Sequence, residues 1–393
     1  MSLDLNQLIP QIRQMSKTII DRSQTVEARI PALQAVMQQG VPDSEKLQKK
    51  KDRAGKNWGG ALPSEEPIQQ FYPPPPTPES YAVLGADGSQ IYPNRHSLAL
   101  YYLINTGSIR IQYGSGNVPE IFSSPQVFYQ EDDLYPDSGG QIDTALINGK
   151  RDVSEMEELA RLAELNHDTP TIALLDNGLL LWIAAQSPNS SKRLVDQIVQ
   201  RYQEQMLRLK QSGTALAGVI DRPRSPNLVR LLQILQLPLE AISAEALADP
   251  DLQRLSDRLL LQNWLPEGFR TARLVQSSSL NEDFSRAGLP IEFFYLNNGF
   301  ENQILRVEVP GWVAASKELL DLVHAGILQQ CLSTGGFPYV LARAHELAVV
   351  TQPEQRIVEE TLARELLQHG FRGMISRKQT TKQWLGGKKR HTL

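Results

Sequence analysis

The chemistry this sequence could do centres on acids placed where apolar runs stop. In Tyr81 to Tyr92, YAVLGADGSQIY, β-favouring and small residues end at Asp87-Gly88-Ser89, and an apolar pattern resumes at Ile91. An acid there can hold a ligand, and the glycine after it lets backbone approach whatever the acid holds. Asp-Gly is also the commonest short hairpin signal, so a turn aspartate is the other reading of Asp87. Thr169 to Ala185, TPTIALLDNGLLLWIAA, repeats the design: the strand Thr171 to Leu175 ends in Asp176-Asn177-Gly178 before apolar residues resume. Between the two, Arg151 to Leu165 has helical period, and Glu155 falls in the apolar half of the wheel with Val153, Met156, Leu159 and Leu162. A carboxylate in that half requires a partner or a metal to offset its desolvation. Arg151, four residues back, offers the alternative of an ordinary ion pair.

Three carboxylates from two strands and a helix suit a divalent metal, because hard oxygen donors bind Mg²⁺ or Mn²⁺ while leaving places for water and phosphate. A further strand, Leu216 to Ile220, ends in Asp221 beside Arg222 and Arg224. Arginines next to acids can grip phosphate, while Pro223 and Pro226 favour a plain turn. Near the C-terminal end, Gly335-Gly336-Phe337-Pro338-Tyr339 precedes a helix carrying Arg343 and His345. Arg151, Arg222, Tyr339 and Arg343 are the candidate substrate contacts, and His345 could orient a phosphate or protonate a leaving group.

The elements around these residues follow from periodicity. Leu8, Ile12, Met15, Ile19, Val26, Ile30, Leu33 and Met37 predict one amphipathic helix over Leu5 to Gln39, or two with a break near Arg22 to Thr25 or at Pro31. Its stripe would pack on this chain or on a second copy. The basic run QKKKDRAGKNW and the extended, Pro-rich FYPPPPTPES follow. Three or four antiparallel strands are expected over Tyr81 to Phe128, with SLALYYLINTG and SIRIQYG as separate strands. Gln130 to Gly149 reads as a loop and Ser191 to Gly213 as a helix. Leu228 to Leu265 has a helical pattern, followed by strands at Arg270 to Val275, Ile291 to Leu296 and ENQILRVEVP, and by a helix over Ala314 to Gln329.

A chain of 393 residues is long enough for about two domains or one elaborated α/β unit. With 40 Lys+Arg against 44 Asp+Glu, the net charge of −4 selects no partner, although phosphate contacts can be concentrated in one groove. The single cysteine, Cys331, excludes an internal disulfide and a multi-cysteine metal site, and suits a reducing cytoplasm. The N-terminus lacks the basic-then-apolar order of a signal peptide, and no apolar stretch is long enough to span a bilayer, so a soluble protein is expected.

Ala86 to Ser89 (A-D-G-S), Arg151 to Glu155 (R-x-x-x-E), Leu174 to Gly178 (L-L-D-N-G), Gly336 to Tyr339 (G-F-P-Y) and Ala344 to Glu346 (A-H-E) together resemble the NurA family of nucleases, associated with HerA-type DNA translocases. The resemblance covers most of Tyr81 to about Val350. It implies an α/β fold with an RNase H-like core, a mixed sheet with flanking helices, plus helical and C-terminal additions. The implied division is an N-terminal helical segment and basic, Pro-rich linker over 1–70, a nuclease domain over 71–350, and a C-terminal helix and basic tail over 351–393. Mn²⁺-dependent cleavage of DNA is implied, exonucleolytic from 5′ ends and endonucleolytic on single strands. A homodimer docked to a hexameric HerA-type ATPase, acting in repair of DNA ends, is implied as well. Asp87, Glu155 and Asp176 would be metal ligands, and His345 would act near the scissile phosphate. Asn177 stands where the family usually has glycine, and Phe337 where it often has tyrosine, so any role for that hydroxyl is lost or falls to Tyr339. A non-catalytic DNA- or translocase-binding module keeping the same fold is the competing reading. No G-x-x-x-x-G-K-[ST] and no strand-associated G-x-G-x-x-G supports a nucleotide-binding regulator.

Overall fold

The computed structural model describes residues 4–41, 43–55, 58–136, 140–165, 169–183 and 192–370. The expected basic tail after Gly370, the end of the apolar run after Asp176 and the Ser191 helix boundary lie outside them. In chain order the strands are β1 (Ala61–Pro63), β2 (Phe71–Tyr72), β3 (Tyr81–Ile91), β4 (Tyr102–Tyr113), β5 (Glu120–Phe128), β6 (Thr171–Asp176), β7 (Ala215–Ile220), β8 (Arg270–Thr271), β9 (Leu274–Gln276), β10 (Ile291–Asn297) and β11 (Ile304–Pro310). The principal helices are α1 (Leu5–Glu27), α2 (Ile30–Gln39), α3 (Ser44–Ala54), α4 (Thr144–Glu164), α5 (Lys192–Gln211), α6 (Asn227–Gln236), α7 (Lys317–Leu332), α8 (Tyr339–Ala348) and α9 (Gln352–Gln368). The chain divides into two compact units: the first holds 1–79, 176–180 and 215–339, the second 80–175, 181–214 and 340–393.

In the second unit, β3, β4 and β5 form an antiparallel meander, α4 follows, and β6 returns parallel to β3, giving the order β6-β3-β4-β5. A meander, a crossover helix and a strand parallel to the first is the RNase H-like arrangement that the family resemblance implies. Tyr81 to Ala86 are buried, as a central strand with both faces covered requires. α4 packs on β3, β4 and α5. In the first unit, β1-β9-β10-β11-β7 is an antiparallel sheet. Its core joins Leu33, Met37, Leu231, Leu232, Phe293 and Tyr295.

Two boundaries differ from the sequence reading for physical reasons. SLALYYLINTG and SIRIQYG form the single strand β4, because Gly107 is not a turn; it pairs with Asp87 on one side and Ser123 on the other. The supposed loop Gln130 to Gly149 contains the start of α4, where Asp143 caps the helix by accepting from the Ala145 amide. Gly149, the last residue of that stretch, lies within α4, where a Cβ would come within 2.3 Å of the Ile183 side chain.

The N-terminal pattern divides at Ala28-Arg29, with Pro31 in the first turn of α2. Val26, Leu33 and Met37 are buried, whereas Ile9, Ile12, Met15 and Ile19 remain exposed. The basic run forms much of α3, whose Leu47 is buried. Among the described residues, no helix is long and apolar enough to cross a membrane.

Candidate metal and phosphate site

The second unit gathers Asp87, Arg151, Glu155 and His345. Asp87 is near the C-terminal part of the long strand β3, and the Nδ1 of His345 on α8 lies 2.7 Å from its Oδ2. His345 is brought there by a helix pressed onto two glycines. A Cβ at Gly85 would lie 2.8 Å from the Val340 carbonyl oxygen, and one at Gly107 would lie 2.4 Å from the Ala348 amide nitrogen. The C-terminal end of α8 is then tied to the sheet. The Ser89 hydroxyl donates to the Ala348 carbonyl at 2.5 Å, and the Asn105 side-chain amide donates to the same oxygen at 2.8 Å. Orphan carbonyls of a helix end are thereby satisfied, which holds the turn bearing His345 against β3.

Gly88 faces the other side, toward α4. A Cβ there would meet Arg151 Cγ at 2.5 Å and Glu155 Oε1 at 2.7 Å. The absent side chain is therefore what admits the α4 acid and its arginine beside Asp87. Glu155 is buried, and Arg151 Nε stands 3.2 Å from its Oε1. Glu155 lies on the buried face of its helix, as the wheel predicts, and the ion pair to Arg151, the alternative to a metal, is present. Arg151 also donates to Asp152 at 2.7 Å and to the Gln90 side chain at 3.3 Å. Burial works against the Arg151 charge, but Glu155, Asp152 and Asp87 outweigh it and raise the guanidinium pKa. The Asp152 carboxyl is pushed up, by burial first and with help from the Asp87 charge, against the lowering effect of Arg151.

Asp176, the last residue of β6, falls in the first unit together with Arg222 and Tyr339. After Asp176 the chain turns through Asn177 at φ 101°, a conformation disfavoured for any residue but glycine. The Asn177 amide donates to the Val219 carbonyl at 3.0 Å, and its own carbonyl oxygen would lie 2.5 Å from a Cβ at Gly218. Arg222 is 77% exposed in its side chain and stands 3.9 Å from Asp221. Asp221 itself accepts from Gln303 at 2.5 Å. Arg343 shares α8 with His345 but is paired to Glu346. Gly335 and Gly336 both take positive φ in the turn before Tyr339.

Asp152 escaped the sequence reading. The signal was present: Asp152 and Glu155 are three residues apart, a spacing that places two side chains on neighbouring positions of one helix face. Gly88 was read as freedom for backbone to approach a ligand, whereas its missing Cβ is filled by α4 side chains.

The donor set fits a divalent cation in chemical type. Asp87 and Glu155 offer hard oxygens, and His345 adds an imidazole. Among the described residues, no group of three or more His, Cys, Asp or Glu side chains is already disposed around one point. His345 and Arg151 occupy carboxylate oxygens of Asp87 and Glu155 that a cation would use.

The NurA domain profile matches residues 81–350, from the first residue of β3 to just beyond α8. The chain belongs to the NurA family. Among solved structures, the NurA nuclease from Sulfolobus solfataricus is 12% identical, over 90% of this chain and 98% of that one, with a TM-score of 0.49. A NurA structure with manganese is 10% identical over 91% of this chain and 98% of that one, TM-score 0.43. One bound to dAMP and manganese is 11% identical over 74% and 89%, TM-score 0.36. No curated protein matches the chain. The NurA match spans all four second-unit residues, Asp87, Arg151, Glu155 and His345, as well as Asp176.

Proposed function

We propose that this NurA-family chain is a metal-dependent deoxyribonuclease that hydrolyses phosphodiester bonds, with Asp87, Glu155 and Asp176 holding Mn²⁺ or Mg²⁺. The observation that carries the reading is the meeting of Asp87 with His345 on one side of β3 and the Arg151–Glu155 pair admitted by Gly88 on the other. A bound divalent ion supplies charge compensation at the phosphate and a water acidic enough to attack at neutral pH. The chain's own groups do the rest. Asp87 and Glu155, now in contact with His345 and Arg151, would hold the cation. The Arg151 guanidinium, with Arg222 and Arg343, would grip phosphate oxygens, for which its planar fork is suited. His345, exposed and poised on Asp87, orients the phosphate or protonates the departing oxygen. Tyr339 contributes the hydroxyl that Phe337 lacks.

In its finer form the proposal is a 5′-3′ exonuclease and single-strand endonuclease in DNA end processing and repair, working with a HerA-type hexameric ATPase. Family membership supports that form. A homodimer is supported by the exposed Ile9, Ile12, Met15 and Ile19 on α1, an apolar stripe of the kind a second copy covers. A cytoplasmic setting accords with the lone, buried Cys331.

The test is incubation of purified protein with end-labelled linear DNA and Mn²⁺, with and without chelator. Cleavage that chelator abolishes is expected, and Asp87→Ala lowers it by about three orders of magnitude while the melting temperature holds. Full activity in that variant sinks the assignment. Chelator-insensitive DNA binding without cleavage would establish the non-catalytic module instead, a reading favoured by the engagement of Asp87 and Glu155 in ion pairs.

A further inference from the structure

The turn that follows Asp176 is held from beneath by a buried ion pair that the proposed reaction does not use. Glu308 on β11 is 4% exposed, and its Oε2 accepts from the Leu179 amide at 2.8 Å. A Cβ at Gly178 would lie 2.6 Å from that same oxygen, so the glycine is what lets the carboxylate reach the turn backbone. The other oxygen, Oε1, takes Arg306 Nη2 at 2.8 Å and Nε at 3.0 Å. Arg306, 3% exposed, is fixed in turn by Asn227 and Gln276, each at 2.9 Å, and by the Phe293 ring, whose centroid is 3.6 Å from its guanidinium carbon.

Such a pair is an expensive way to stabilise a sheet, because desolvating both charges consumes most of their attraction and well-packed apolar residues serve as well. What it provides here is direction. A carboxylate oxygen locked by a fixed arginine gives the Leu179 amide one place to be. With Asn177 already forced to φ 101°, the backbone on the C-terminal side of Asp176 is pinned at both ends of the turn.

We infer that Glu308, anchored by Arg306, is a positioning residue for Asp176: it holds the Asn177-Gly178-Leu179 turn so that the Asp176 carboxylate is presented to the metal in one orientation. This rests on the reading of Asp176 as a metal ligand. Groups that orient a ligand typically change metal affinity by about 10–100-fold when removed.

The experiment measures Mn²⁺ binding to the full-length protein by calorimetry and by the loss of the free-ion paramagnetic resonance signal, beside cleavage kinetics. The variants are designed to avoid an unpaired buried charge. R306M/E308L fills the site with apolar groups and removes the acceptor from Leu179; R306M/E308Q keeps an acceptor without charge. The first is expected to weaken Mn²⁺ binding about 10-fold or more. Its KM for DNA at saturating Mn²⁺ should be unchanged, and its activity should return as the metal is raised. The second should recover most of the affinity. Wild-type Mn²⁺ binding in R306M/E308L, or equal impairment of the two doubles, overturns the inference. Should either double fail to fold, Gly178→Ala probes the same contact, and unaltered Mn²⁺ binding in it is equally decisive against. Asp176→Asn separates the two levels. If that variant binds Mn²⁺ normally, the ligand reading itself fails; if it binds poorly while R306M/E308L binds well, only the positioning role fails.

Discussion

The two acids that end apolar runs are held in opposite ways. Asp87 in the second unit is met by His345, whose side chain is 64% exposed, and neighbours an arginine with several carboxylates to choose from. The turn after Asp176 in the first unit is fixed by groups only 3–5% exposed. Partners that can leave suit an acid that must change what it binds. Partners that cannot leave suit an acid whose direction must not change. The difference shows how similar local motifs, Asp-Gly after one apolar run and Asp-x-Gly after another, can be held by exposed partners in one place and by buried ones in another.

The largest expected effect tests the rigid side. Arg306→Ala leaves Glu308 buried and unpaired and should cost about 3–5 kcal/mol of stability. Urea unfolding measures it, and a loss below about 1 kcal/mol would show that the pair is not the anchor described. On the exchangeable side, Gly88→Ala puts a methyl group into the Arg151 and Glu155 side chains. Overpacking of this kind costs about 1–3 kcal/mol, and displacement of Glu155 should cut cleavage by about 100-fold, read from initial rates and thermal melting together. His345→Ala should lower cleavage by about 10- to 100-fold with little change in melting temperature, since the side chain is mostly exposed. An equal loss of stability would make His345 a structural partner of Asp87.

The smallest effect lies in the first-unit core. Asp257 is fully buried, accepts from the Leu228 and Val229 amides and from the Tyr295 hydroxyl, and has its pKa pushed up to about 6, chiefly by burial. A raised folded-state pKa means that the fold binds this proton more tightly than the unfolded chain. The contribution is therefore fully present below the ordinary carboxylate value of about 4 and is lost as the pH rises through about 6. Tyr295→Phe removes a hydrogen bond that favours the carboxylate, so the loss should shift to higher pH; unfolding midpoints across that range check the direction.

The candidate residues stood out in the sequence because their signals are local. Asp87 and Asp176 stop apolar runs, and Glu155 sits on the wrong half of its helical wheel. Each can be seen within a dozen residues. Gly107 was misread as a strand break because nothing nearby in sequence reveals the helix lying on it. Gly149 concealed the start of α4 for the same reason. Arg306 and Glu308 were invisible: in ILRVEVP they alternate with apolar residues, the pattern of a half-exposed strand, yet every residue of β11 is buried.

By itself, then, the sequence determined which residue types end the apolar runs, the order of the elements in the second unit, and the kind of chemistry three carboxylates can do. Those follow from periodicity and side-chain chemistry, which act over a few residues. Tertiary structure alone decided which carboxylate partners are exchangeable and which are locked. That depends on burial and on contacts such as Gly88 with Glu155 and Gly178 with Glu308, made between segments distant in sequence, where the absence of a Cβ is as informative as any side chain present.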